Sequence, residues 1–181
     1  MKSYAIGQGT LLVERGDITV SDAQAIVNAA NPRLAGGRGV DGAIHKAAGP
    51  GLLEACQEIV QDMGPLPPGE AVITPGFDLP AQWVIHTVGP VWRGGKEGER
   101  ATLTSAYRRS LEVAEEQGVE TVAFPAVSCG AYGYPLGEAA AVALDVLAQG
   151  LQEGMVREAA MVLFGESVYQ AFADAASVRL G

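Results

Sequence analysis

Asn31 and Asp41 bracket a glycine-dense stretch, Asn31-Pro32-Arg33-Leu34-Ala35-Gly36-Gly37-Arg38-Gly39-Val40-Asp41-Gly42, and are its only side chains able to accept a hydrogen bond. A carboxylate beside a bound water can orient it and take its proton. A primary amide donates and accepts as a hydroxyl does, which suits it to a sugar. Glycines at 36, 37, 39 and 42 let the backbone turn its amides toward a ligand with no Cβ in the way. Such amides, next to a helix N-terminus, attract anionic or polyhydroxylated groups. The pattern is that of a small-molecule site with a carboxylate at its edge. A second loop, Ser128-Cys129-Gly130-Ala131-Tyr132-Gly133-Tyr134, offers another row of amides after an apolar run.

Other chemistries compete for the same residues. Asp41 stands just before Gly42-Ala43-Ile44, where a helix N-cap would sit, and a capping carboxylate keeps fewer lone pairs for water. A free aspartate, with a pKa of about 3.9, is a feeble base at neutral pH. His45, a turn into a helix, and His86, inside an apolar strand, read as packing residues, with no zinc-like spacing around them. Ser128 and Cys129 lack the G-x-S-x-G elbow of a serine nucleophile, and Cys129 reads as a filler beneath its loop. Gly37 to Gly42 satisfies the dinucleotide pattern G-x-G-x-x-G. Asn31 to Ala35 separate it from the preceding strand, however, and the chain around Asp62 reads as helix rather than as the strand that should carry an acid.

These loops need elements to hold them. Residues 4–6 and 10–15 read as short edge-like strands before a turn at Gly16-Asp17, and Ala25 to Ala29 as a buried parallel strand. Ala43 to Met63 reads as helix broken at Gly49-Pro50-Gly51. Ala71 to Thr74 and Trp83 to Val88 are β-branched-rich strands. A helix carrying Leu103, Tyr107, Leu111 and Ala114 leads to a strand over Thr121–Val127. A helix through Leu136, Ala140, Ala143, Leu147 and Leu151, a strand over Ala159–Phe164 and a helix over Ser167–Ala176 complete the chain. Alternating strands and helices imply a largely parallel sheet covered on both faces, with ligands beyond the C-terminal strand ends. Both glycine loops follow directly after buried strands and belong on that rim.

The 181 residues, 48% hydrophobic and 18% charged, suit a single folded domain spanning 1–181. No apolar stretch approaches a membrane span, and the opening residues break up too early for a signal segment. Cys56 and Cys129 are too few for a disulfide framework, and reduced thiols fit a cytoplasmic location. With 12 cations against 21 acids the net charge is −9, which argues against nucleic acid as a partner and leaves any phosphate to be held by backbone amides.

The segments Gly16-Asp17-Ile18-Thr19, Ala25-Ile26-Val27-Asn28-Ala29-Ala30-Asn31 and Gly39-Val40-Asp41-Gly42-Ala43-Ile44-His45 resemble the macrodomain family. So do His86-Thr87-Val88-Gly89-Pro90-Val91-Trp92 and Ser128 to Pro135, in order along nearly the whole chain. The subtype they look like is the MacroD-type class, and within it the bacterial O-acetyl-ADP-ribose deacetylases. The resemblance implies a three-layer α/β/α sandwich around a mixed, mostly parallel sheet, binding ADP-ribose with no cofactor and no metal. It makes Asp17 the adenine reader, with the Ile18 amide beside it, although without the family pattern a turn or N-cap aspartate is the better reading there. It places Ser128, Cys129, Gly130, Ala131 and Tyr132 around the diphosphate, Tyr132 also against the distal ribose, and Phe164 against adenine. Pinning its own turn is the alternative for Tyr132, and core packing for Phe164. Gly39 and Val40 fall in the ligand-binding loop, Asn31 on the distal ribose, and Asn28 on the backbone of the loop.

Asp41 is the residue that separates hydrolases from plain readers in that family. The resemblance therefore implies cleavage of esters on the distal ribose, in O-acetyl-ADP-ribose and in proteins mono-ADP-ribosylated on Asp or Glu. The alternatives are a non-catalytic ADP-ribose reader and an RNA- or protein-interaction module on the same fold. Two positions depart from the family pattern. Arg38 stands where a glycine is usual, which restricts left-handed geometry, and Cys129 replaces a threonine of the diphosphate loop.

Overall fold

The computed structural model describes residues 1–181. Strands β1 (Lys2–Ile6) and β2 (Gly9–Arg15) form an antiparallel hairpin closed at Gly7. A short 3-10 turn over Ile18–Val20 leads to β3 (Ala25–Ala29), whose alternate side chains enter opposite layers. Val27 packs to one side and Ile26 to the other, as a period of two requires. Helices α1 (Gly39–Ala48) and α2 (Pro50–Met63) follow. They are separated at Gly49, whose φ of 80° stops α1 while Pro50 opens α2 with no N–H to leave unpaired.

Strands β4 (Ala71–Pro75) and β5 (Trp83–Thr87) precede α3 (Glu99–Glu116). The chain then runs through β6 (Thr121–Phe124), α4 (Leu136–Gln152), β7 (Glu158–Leu163) and α5 (Glu166–Leu180). The seven strands form one sheet in the order β1-β2-β7-β6-β3-β5-β4. The inner strands β2, β7, β6, β3 and β5 are parallel, and β1 and β4 run antiparallel at the edges. Helices α1 and α2 cover one face through Ile44, Leu52 and Cys56, packed on Ile26, Val84 and Val162. Helices α3, α4 and α5 cover the other through Leu103, Tyr107, Leu111, Leu144 and Phe172, packed on Leu11, Val27, Phe124 and Met161. The expected three layers are present.

Some boundaries differ. β2 is an inner strand, because β1 occupies the edge and β7 pairs along its other side. β6 stops at Phe124, where Pro125 removes a ladder donor. α1 begins at Gly39, before the expected Ala43, and α5 continues to Leu180. Phe164 lies just past β7 rather than in it. The parallel register brings Arg15, Leu163, Phe124, Ala29 and Thr87 to one rim, where the loops of interest emerge.

Candidate functional site

Two adjoining hollows on this rim share Gly39, Val40, Ala126 and Gly130 and make one long cleft. One, of about 340 Å³, is lined by Asn31, Gly37, Arg38, Asp41, Gly89, Ser128, Ala131 and Tyr132 among others. Its neighbour, of about 560 Å³, is walled by Asp17, Ile18, Ala43, Cys129, Phe164 and Val168 among others. Of the residues expected at the site, only Asn28 does not line the cleft; it lies beneath it, wholly buried.

Asp41 is the third residue of α1 rather than its N-cap, which is Arg38 in an extended conformation. Arg38 needs no left-handed geometry; Leu34, Gly36 and Gly39 take the positive φ values of this loop. Gly42 lets the loop pack down on the helix, because a Cβ there would run into the Gly37 carbonyl oxygen. The Asp41 side chain is buried, and its Oδ1 accepts from Asn28 Nδ2 at 2.9 Å and faces His45 Nε2 at 3.5 Å. Burial raises its carboxyl above the usual aspartate range, against the opposing pull of the Asn28 hydrogen bond and the His45 ring.

Asn28 thus serves the Asp41 carboxylate, not the loop backbone as expected. Its amide also meets His86 Nδ1 at 3.2 Å, and His86 Nε2 meets Thr74 Oγ1 at 3.0 Å, whose hydroxyl donates to the Pro75 carbonyl at 3.1 Å. Burial, assisted by His45, pulls the fully buried His86 down to about 3, so it is neutral. With Nδ1 accepting from the Asn28 amide, its proton sits on Nε2 and the chain of bonds has one direction. His86 is therefore more than a packing residue: it anchors the group that anchors Asp41. The strand register explains why, since Asn28 on β3 lies directly across from His86 on β5. Sequence reasoning missed this link, and no spacing of residues could have shown it.

Asn31 is engaged with its own loop, its Nδ2 donating to the Gly36 carbonyl at 2.8 Å and its Oδ1 accepting from the Ala35 N–H at 3.2 Å. One N–H and one lone pair remain for a ligand. Asp17 caps the short 3-10 turn, its Oδ1 accepting from the Thr19 N–H at 2.9 Å and hydroxyl at 2.7 Å, which leaves Oδ2 free at the cleft wall. Phe164 is 82% exposed beside it, so core packing is not its role. Ser128 carries a φ of 67°, unusual for a residue with a Cβ, and its buried hydroxyl has no partner. The N–H groups of Gly130, Ala131 and Tyr132 make no bond within the protein. Together with the first N–H groups of α1, which no helix can satisfy, they give the cleft two sets of free donors. Cys129 lines the cleft rather than lying under it, its thiol 3.6 Å from the Val127 carbonyl and pushed up by burial to about 12. No group of three or more His, Cys, Asp or Glu is placed to hold a metal ion.

A family profile described as Macro domain matches residues 27–143. A Cronobacter sakazakii protein named O-acetyl-ADP-ribose deacetylase is 54% identical over 143 residues, 79% of each chain. A Klebsiella pneumoniae protein of the same name is 58% identical over 129 residues, 71% of this chain and 74% of its own. Among solved structures, a mutant macrodomain of Oceanobacillus iheyensis with ADPR superposes with a TM-score of 0.93 at 44% identity, covering 98% of this chain and 97% of that one. A Trypanosoma brucei macrodomain in complex with ADP-ribose gives 0.81 at 39% identity, over 92% of this chain and 68% of that one.

Proposed function

Because this chain belongs to the macrodomain family, we propose that it binds ADP-ribose along the rim cleft and hydrolyses esters on the distal ribose. The substrates are O-acetyl-ADP-ribose and proteins mono-ADP-ribosylated on Asp or Glu. The observation that carries this reading is Asp41, a buried carboxylate on the cleft wall, held through Asn28 and His86 and facing the same hollow as Asn31. Adenine lies between Phe164 and the Asp17–Ile18 turn, and the diphosphate takes the free N–H groups of Gly39, Val40, Gly130, Ala131 and Tyr132. The distal ribose then reaches Asn31, Tyr132 and Asp41.

Asp41 takes a proton from a water that attacks the ester carbonyl, and the tetrahedral intermediate collapses to the carboxylic acid as Asp41 returns that proton to the departing ribose oxygen. Burial makes Asp41 a stronger base than free aspartate, while the Asn28 bond favours its ionised form and aims it. We place the activity in the cytoplasm, which the two free cysteines support.

The test is turnover of O-acetyl-ADP-ribose by the protein and by its Asp41→Ala variant, with calorimetry of ADP-ribose. The variant is expected to lose about 10²–10⁴-fold in kcat and to keep its affinity within a few-fold. Binding without turnover in the unmodified protein would leave a reader instead.

A further inference from the structure

The positive charges of this acidic protein fall into two sets. Six are engaged within the fold, through Glu166, Glu112, Glu153, Glu70, Glu120 and Asp145 for the arginines and through Ser177 for Lys2. The other six, Arg33, Arg38, Lys46, Arg93, Lys96 and Arg100, are exposed and have no carboxylate or hydrogen-bond partner. All six lie on the two stretches that follow β3 and β5. Those strands are paired neighbours ending together at Ala29 and Thr87, so the stretches emerge side by side. Arg38 lines the hollow that holds Asn31 and Asp41, and the Trp92 N–H donates to the Tyr132 carbonyl at 2.8 Å, tying the second stretch to the cleft.

The acids of the same stretches do not offset these charges. Asp41 is buried, and Glu99 is buried and occupied by the N–H groups of Arg93, Gly95 and Glu97. Glu97 alone is exposed. A protein with a net charge of −9 thus presents a positive rim around the distal-ribose end of its cleft. The diphosphate has its own backbone donors, so Arg38 in the cleft wall, with Arg33, Arg93 and Lys96 on the loops that follow β3 and β5, is left for whatever extends from the ribose.

We propose that this rim receives an acidic polypeptide segment, the one that bears the ribosyl ester. The inference rests on the ester-hydrolase reading and specifies its protein substrate: an ester on a carboxylate side chain flanked by further Asp and Glu. Several carboxylates within a Debye length, about 8 Å at physiological salt, engage such a rim without crossing the acidic body beyond it. A nucleic-acid strand fits less well, since it must continue over that body. Trp92, the aromatic residue of the second stretch, offers no free face for stacking a base, being half-buried against Tyr134 with ring centroids 4.7 Å apart.

Two synthetic peptides, each mono-ADP-ribosylated on one glutamate, test this, one flanked by Asp and Glu and one by Ser and Gly. O-acetyl-ADP-ribose serves as the reference substrate. At low salt the acidic peptide is expected to show a kcat/KM about tenfold higher, the sum of several exposed ion pairs. The preference shrinks as salt rises. It vanishes in the Arg33→Glu/Arg93→Glu/Lys96→Glu variant, which keeps its turnover of O-acetyl-ADP-ribose. Affinities of the two peptides for the Asp41→Ala variant carry the same comparison without turnover. Equal values for the two peptides, a preference that survives in the triple variant, or stronger competition from a single-stranded oligonucleotide overturns the proposal. Loss of O-acetyl-ADP-ribose turnover in the unmodified protein would instead overturn the hydrolase reading.

Discussion

Asn28 divides its two amide hydrogens between Asp41 Oδ1 and His86 Nδ1, so replacing it with leucine strands both partners in a buried place. An orphaned buried polar group costs about 1–3 kcal/mol, and urea unfolding of Asn28→Leu should register a loss of that order. The same change removes a bond that lowers the Asp41 carboxyl, so that carboxyl rises further and the acid limb of kcat/KM against pH moves to higher pH. A purely structural role for Asn28 would leave the limb in place. Phe164 makes the opposite case. Its exposed ring adds little to the core, so Phe164→Ala should leave stability within about 0.5 kcal/mol, measured by urea, while a lost base stack weakens ADP-ribose binding by about 1–3 kcal/mol, measured by calorimetry. Asp41 and Asn31 were legible because their residue types and the glycines around them sit within one loop. The task of Asn28 was not, because its partner His86 is 58 residues away and comes opposite only through strand register.

The loop between β5 and α3 is organised by one side chain. Glu99 accepts from the N–H groups of Arg93, Gly95 and Glu97 at 2.9, 2.8 and 2.6 Å. Burial alone would raise its carboxyl, and these donors outweigh that effect and bring it from 4.5 down to about 2. A carboxyl lower in the folded than in the unfolded chain stabilises the fold above its unfolded value, and that contribution is lost as pH falls from about 4.5 toward 2. Thermal unfolding of Glu99→Gln should therefore lie below that of the parent at neutral pH, with the gap closing through that acidic window. An unchanged gap down to pH ~2 would remove Glu99 from this role. The break between α1 and α2 was readable, since Gly49-Pro50 is local punctuation. The inner position of β2 was not, because alternation along a strand carries no information about which strand pairs with it. Likewise the early start of α1 was hidden because its first turn, Gly39 to Asp41, lines the cleft, and hydrophobic periodicity marks only the core-facing turns.

At the scale of the molecule the sheet separates two cores, the larger under α3, α4 and α5 and the smaller under α1 and α2, where Asp41 resides. Alternating strands and helices were enough to foresee the three layers, whereas the unequal division between the two faces depends on strand order. Phe172, fully buried in the larger core, gives a test of how separable stability and site are. Phe172→Ala should lower unfolding free energy by about 3–5 kcal/mol. Adding ADP-ribose at a hundred times its Kd should restore about 2.7 kcal/mol in both proteins, because the cleft is built on the rim loops. Urea titrations with and without ligand measure both terms. The two thiols carry a consequence of a different kind. Cys56, deep beneath His86, is pushed up by burial and by the Asp41 charge to about 11, and Cys129 in the cleft wall to about 12. Burial holds both as thiols at neutral pH, so peroxides and alkylating electrophiles find no ready thiolate in the cleft, even where it brings them within reach of sulfur.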